Sequence, residues 1–134
     1  MKPYNVIVIL NPECTKVLLC KRTKEPYQGL YNFIGGKIEN EKEGFQEAYR
    51  ELYEETHIGK EDVSLKHFMN LEYLSFGKRM EVYYGVLKHD VELVEEINPL
   101  EWVSLDEDFF DMTKYAGEGN IGHILKEIQI YINH

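Results

Sequence analysis

Cysteine is scarce in this chain, with only Cys14 and Cys20 present. Two thiols without His or Cys at metal-ligand spacing support neither a disulfide framework nor a structural zinc site, and read as reduced thiols. Long apolar runs are missing as well. Val6–Leu10 is too short to span a bilayer, and the amino end lacks the small-residue cleavage pattern of a secretory signal. A cytoplasmic protein with no membrane partner is therefore expected. No low-complexity segment, internal repeat or Gly/Ser/Pro-rich linker divides the chain. Positive charge is in deficit, 15 Lys+Arg against 24 Asp+Glu, for a net charge of −9. That balance argues against a nucleic-acid polymer as partner. A small phosphorylated substrate stays open, because a bound divalent cation can invert the sign of a local site.

The chain does have the means to build a core. Its 134 residues suit one domain spanning 1–134, and 43% hydrophobic and 13% aromatic content exclude a disordered class. The β-branched run Val6–Leu10 reads as a buried strand, and Asn11-Pro12-Glu13 as a turn leading into a second strand over 16–22. Residues 30–34 form a short strand ending at Gly35-Gly36. Phe45, Ala48, Tyr49, Leu52 and Thr56 recur at helical spacing, which predicts an amphipathic helix over 43–57. Segments 64–73 and 79–87 are rich in β-formers around a turn at Ser75-Phe76-Gly77, and 100–105 is a further strand. Ile121, Ile124, Leu125 and Ile128 predict a second amphipathic helix over 120–130. Strands, helix, strands, helix is the order of an α+β, α/β/α layered domain.

The first helix carries an unusual charge pattern. Each helical residue advances about 100°, so with Glu47 at zero, Glu51, Glu54 and Glu55 fall at about 40°, about −20° and about 80°. Four carboxylates thus share one side, opposite the apolar stripe. Like charges at i,i+4 destabilise a helix by a few tenths of a kcal/mol per pair. Arg50 alone relieves the crowding, with Glu54 as its i,i+4 partner. A solvated acidic face explains such a cluster, and so does a hard divalent cation, which prefers oxygen ligands.

From Gly35 the chain reads Gly-Gly-Lys-Ile-Glu-Asn-Glu-Lys-Glu-Gly-Phe-Gln-Glu-Ala-Tyr-Arg-Glu-Leu-Tyr-Glu-Glu-Thr-His-Ile. This resembles the Nudix box, with Gly36, Arg50, Glu51, Leu52, Glu54, Glu55 and Ile58 at the matching offsets. Two positions depart from it. Lys42 stands in the place of the early glutamate, flanked by Glu41 and Glu43. His57 stands where the box has a glycine that caps the helix in a left-handed conformation, a geometry that costs other residues about 1 kcal/mol or more. Gly59 is the expected substitute cap, extending the helix slightly.

The resemblance implies a Nudix fold, with a mixed central sheet, the box helix on one side and the C-terminal helix on the other. It implies a hydrolase of nucleoside diphosphate-linked substrates that uses Mg²⁺, with Mn²⁺ able to substitute. Glu51, Glu54 and Glu55 match the metal ligands, together with the carbonyl of Gly35, and Arg50 orients a box glutamate. A further acid in MutT-like members comes from the loop before a late Trp strand. Glu96, six residues before Trp102, holds the expected offset, with Glu95 and Glu101 as competitors.

Lys37 and Glu39 are candidates on the phosphate side, and Arg22 for contact with the nucleotide phosphates. Asn32 stands where oxidised-purine triphosphatases place a base-reading Asn, although an Asn there can also serve its own backbone. Asn120 reads both as a base contact and as a helix N-cap. Tyr31, Phe33, Tyr83 and Tyr84 suit either a stacking or a core role. The substrate expected is a nucleoside triphosphate, including oxidised purines, cleaved to monophosphate and pyrophosphate by a monomer or homodimer. ADP-ribose or a dinucleoside polyphosphate is the alternative substrate, and a non-catalytic nucleotide sensor the alternative role.

Overall fold

The β-branched N-terminal run becomes the middle of a sheet in the computed structural model of the chain, which describes residues 1–133. His134, the last residue of the expected domain, lies outside the described residues. The strands are β1 (Lys2–Leu10), β2 (Lys16–Lys21), β3 (Tyr31–Asn32), β4 (Ile34–Lys37), β5 (Lys66–Tyr73), β6 (Lys78–Val86) and β7 (Leu100–Ser104); the helices are α1 (Gly44–Thr56) and α2 (Asn120–Ile132). β1 runs parallel to β6 from Lys2↔Lys78 to Leu10↔Val86 and antiparallel to β4 and β2. β3 and β7 pair with β2, and β5 with β6, all antiparallel. The sheet is therefore mixed, as expected.

Side chains alternate across a strand, so β1 feeds two cores at once. Val6, Val8 and Leu10 pack with Ile121, Ile124, Leu125 and Ile128 of α2. Ile7 and Ile9 point the other way, to Ala48 and Leu52 of α1 and to Ile58. One helix covers each face, which gives the α/β/α sandwich. Cys14 and Cys20 are free, and burial pushes the Cys20 thiol up to about 12. Among the described residues no helix is long and apolar enough to cross a membrane.

Three local expectations are corrected. The 30–34 strand divides at Phe33, and its second half does not stop at the glycines but continues through Gly35 and Gly36 to Lys37, paired with β1. Helix α1 ends at Thr56 without help from Gly59. His57 itself takes the left-handed cap at φ 65°, with its N–H donating to the Tyr53 carbonyl. Its ring stacks on Tyr53 at 5.0 Å between centroids, which offsets part of the backbone cost. At the start of α2 the N-cap is Gly119, and Asn120 is the first helical residue, its side chain engaged elsewhere.

Candidate active site

The site is built where β4 passes under α1. Asn40 accepts a hydrogen bond from the Lys42 N–H and starts a single 3₁₀ turn, Glu41–Glu43, that delivers the chain into α1. Helix and strand then meet at two glycines. A Cβ on Gly35 would lie 2.0 Å from the Asn5 carbonyl oxygen, and one on Gly36 would lie 3.0 Å from the Glu51 carboxyl group. The Gly35 N–H donates to Glu55 Oε2 at 3.0 Å. Glu51 thus reaches the strand because Gly36 has no side chain, Glu55 is held by the strand's own N–H, and Gly35 lets β4 lie close against β1.

Arg50 lies at the hub of the carboxylates. It donates from Nη1 to both oxygens of Glu54, at 2.9 and 3.0 Å, and from Nη2 to Glu47 at 2.8 Å and Glu51 at 3.5 Å. The arginine holds the Glu47 carboxyl below its ordinary range, and the bonds to Glu47 and Glu54 raise its own pKa in return. Glu51 and Glu55 behave in the opposite way. Burial raises both, Glu55 to about 7. The Gly35 N–H opposes the rise at Glu55, while the charges of Glu51 and Glu54 add to it.

This donor set suits a hard divalent cation. Its side chains offer carboxylate oxygens, two of the acids are desolvated, and a cation would favour the ionised form that burial now penalises. Among the described residues no three His, Cys, Asp or Glu side chains are gathered as a ready cage. Arg50 accounts for part of that spacing, since it draws Glu47 and Glu54 to itself.

Glu47 was legible as part of the acidic side yet is absent from the set that the box resemblance assigns. It is buried at 6% exposure and also receives the Glu39 N–H at 3.5 Å. Its offset of four from Glu51 was the available signal. Glu39 is drawn in as well, its charge contributing to the raised pKa of Glu51.

The remaining candidates are distributed around this centre. Glu96 pairs with Nε2 of His57 at 3.1 Å, at the C-cap of α1, rather than with a box glutamate. Glu95 accepts the Leu100 N–H at 2.7 Å, and Glu101 lies within β7 opposite Leu19, where its charge helps to raise the Tyr31 pKa. Lys37 is the exposed last residue of β4. Arg22 donates its Nε–H to the Pro26 carbonyl at 2.6 Å. Asn32 accepts the Phe33 N–H at 2.9 Å, the local backbone role. Asn120 accepts from the Tyr73 hydroxyl, which leaves its amide NH₂ as the free end. Tyr73 has no sequence signal, because its partner lies 47 positions away. Tyr83 and Tyr84 are buried core residues, as is Phe33.

The model of the NUDIX domain family matches residues 1–120. Among solved structures, the chain is similar to the NUDIX domain of Shewanella oneidensis NrtR complexed with ADP ribose, at 16% identity and TM-score 0.76, covering 97% of this chain and 87% of that one. It is similar to a C. elegans Ap4A hydrolase at 19% identity and TM-score 0.77, over 97% and 98% of the two chains. A MutT structure, from work on the Aliivibrio salmonicida and Vibrio cholerae proteins, aligns at 19% identity and TM-score 0.67, over 95% of each. No curated protein sequence matches significantly. At these identities the structures speak for the fold.

Proposed function

The chain belongs to the Nudix family of hydrolases acting on nucleoside diphosphate derivatives, and from that membership we propose that it is a Mg²⁺-dependent nucleoside triphosphate pyrophosphatase. Its products are a nucleoside monophosphate and pyrophosphate, and its substrates include oxidised or otherwise non-standard purine nucleotides. The observation that carries the reading is the junction of β4 and α1. There Glu51 and Glu55 sit against Gly36 and Gly35, and Arg50 holds Glu54. Glu51, Glu54 and Glu55, with the Gly35 carbonyl, would hold the ion. Bound there, it supplies Lewis-acid polarisation of the phosphate and a more acidic water.

The rest of the work falls to the chain. Arg50 fixes the Glu54 carboxylate through Nη1, which reaches both of its oxygens in a charge-assisted contact, so that acid is ordered before substrate arrives. The Gly35 N–H fixes Glu55 in the same way. Lys37 and Arg22 are the cations offered to the polyphosphate, the second after exchanging its Pro26 contact. Asn120, its oxygen taken by Tyr73, offers its NH₂ to an acceptor on the base edge. Glu96, from the loop before β7, would complete the acid set after releasing His57. The setting is a cytoplasmic protein, monomeric or dimeric, working on free nucleotides.

A nucleotide panel run with Mg²⁺ and with Mn²⁺, products read by mass, tests the reading. Purine triphosphates should yield monophosphate and pyrophosphate, and Glu54→Gln should lower turnover by about 10²-fold or more with the fold intact. Faster cleavage of ADP-ribose or a dinucleoside tetraphosphate would replace the substrate. A folded Glu54→Gln working at the parent rate would remove that residue from the site.

A further inference from the structure

Asn5 lies in β1, the middle strand of the sheet, and is 2% exposed. Among the described residues neither its amide nitrogen nor its amide oxygen has a hydrogen-bond partner. Orphaned buried amides are rare in native proteins and point to a partner that is not part of the chain. The strand pattern tells where this amide faces. Ile7 and Ile9, at alternate positions from Asn5, belong to the core under α1, so Asn5 faces α1 as well.

Its neighbours across the sheet are Gly36 on β4 and Glu81 on β6. Residues directly opposite in a sheet project to the same face, with Cβ positions about 5 Å apart. At Gly36 that position is filled by the carboxyl group of Glu51, 3.0 Å from where a Cβ would be. The first turn of α1 roofs the same ground, since a Cβ on Gly44 would lie 3.1 Å from the Tyr83 hydroxyl and Phe45 packs edge-on against the Tyr83 ring.

The two nearby acids are not equally supplied with donors. Glu81 receives Arg79 at 3.1 Å and the Tyr83 hydroxyl at 3.4 Å. Among the described residues Glu51 has only a 3.5 Å contact to Arg50, although it is largely buried. An amide whose NH₂ donor and carbonyl acceptor are both unsatisfied therefore lies beside an undersupplied acid, and the NH₂ is the end that can serve it. We propose that Asn5 is a positioning residue for the ion site, its buried amide holding the Glu51 carboxylate, directly or through one bound water, so that its oxygens face the cation. Outer-sphere donors of this kind orient a carboxylate ligand and tune ion affinity.

This inference rests on the ion-binding reading of Glu51, and the test separates the two. Mn²⁺ binding to the full chain is measured by electron paramagnetic resonance, without and with a non-hydrolysable nucleotide, alongside thermal unfolding with and without ion. Asn5→Leu removes the amide at similar volume. Its metal-free melting temperature should equal or exceed that of the parent, because an orphaned polar pair is lost. Its Mn²⁺ affinity should fall about tenfold, and the ion-induced rise in melting temperature should shrink with it. A purely structural Asn would give the reverse, lower stability with unchanged affinity, and that result overturns the inference. Should Asn5→Leu fail to fold, Asn5→Ala gives the same affinity readout. Failure of the parent itself to bind Mn²⁺, with Glu51→Gln behaving identically, would instead overturn the ion site.

Discussion

Two adjacent glycines do different jobs, and a methyl group separates them. At Gly35 the added carbon would sit 2.0 Å from a backbone oxygen of the central strand, at φ 151°, so relief requires β1 and β4 to part. Gly35→Ala should cost about 3 kcal/mol or more in urea unfolding. At Gly36 the obstacle is the end of the Glu51 side chain, which can swing aside. Gly36→Ala should therefore cost under about 1 kcal/mol in stability while weakening the Mg²⁺ dependence of thermal unfolding. Equal stability losses in the two variants would show that the carboxylate at Gly36 is as fixed as the backbone at Gly35. The Gly-Gly pair is visible in the sequence, but the division of labour is not. It depends on the register that sets Asn5 against Gly36 and Val6 against Gly35.

Helix α1 acts as a unit through Arg50, which serves Glu47 on the preceding turn and Glu54 on the following one. Arg50→Met would leave Glu47 buried and unpaired. The expected loss is about 2 kcal/mol at neutral pH, discounted because the arginine is itself 36% exposed. Arg50 holds the folded-state pKa of Glu47 below its ordinary 4.5, so the pair contributes stability above that pH and loses it as pH falls through the depressed value. The gap between parent and variant should accordingly close toward acid pH, and Glu47→Gln in the Arg50→Met background should recover most of it at neutral pH. A gap that persists unchanged in acid would assign the loss to packing. At this scale the sequence was informative wherever periodicity spoke. The apolar stripes of α1 and α2 and the β-branched β1 all lie where their spacing put them. What it concealed were choices settled by partners distant in the chain. Asn120 is freed from capping because Gly119 takes that place and Tyr73 takes its oxygen. His57 keeps the glycine's conformation because Tyr53 and Glu96 lie within reach of its ring.

For the whole molecule the decisive imbalance is the concentration of acid beside one strand in a chain already at −9. Burial raises the Glu55 carboxyl from 4.5 to about 7, with the Glu51 and Glu54 charges adding to the effect, and Glu51 is raised as well. A carboxyl whose pKa is higher folded than unfolded binds more protons in the native state between the two values. Stability of the ion-free protein should therefore fall as pH rises from about 4.5 to about 7 and level off above, with Glu55 accounting for up to about 3 kcal/mol. Mounting net negative charge acts in the same direction. Divalent cation reverses the sign of the local field, so millimolar Mg²⁺ should flatten the decline and raise the melting temperature most at pH 7 and above. Glu55→Gln, which cannot ionise, should show a shallow pH profile without ion and a reduced response to Mg²⁺. Melting curves of parent and variant from pH 5 to pH 8 decide the matter. If the ion-free parent is as stable at pH 7.5 as at pH 5, the buried acid is not what opposes folding at neutral pH, and the need for a cation to hold α1 against β4 disappears with it.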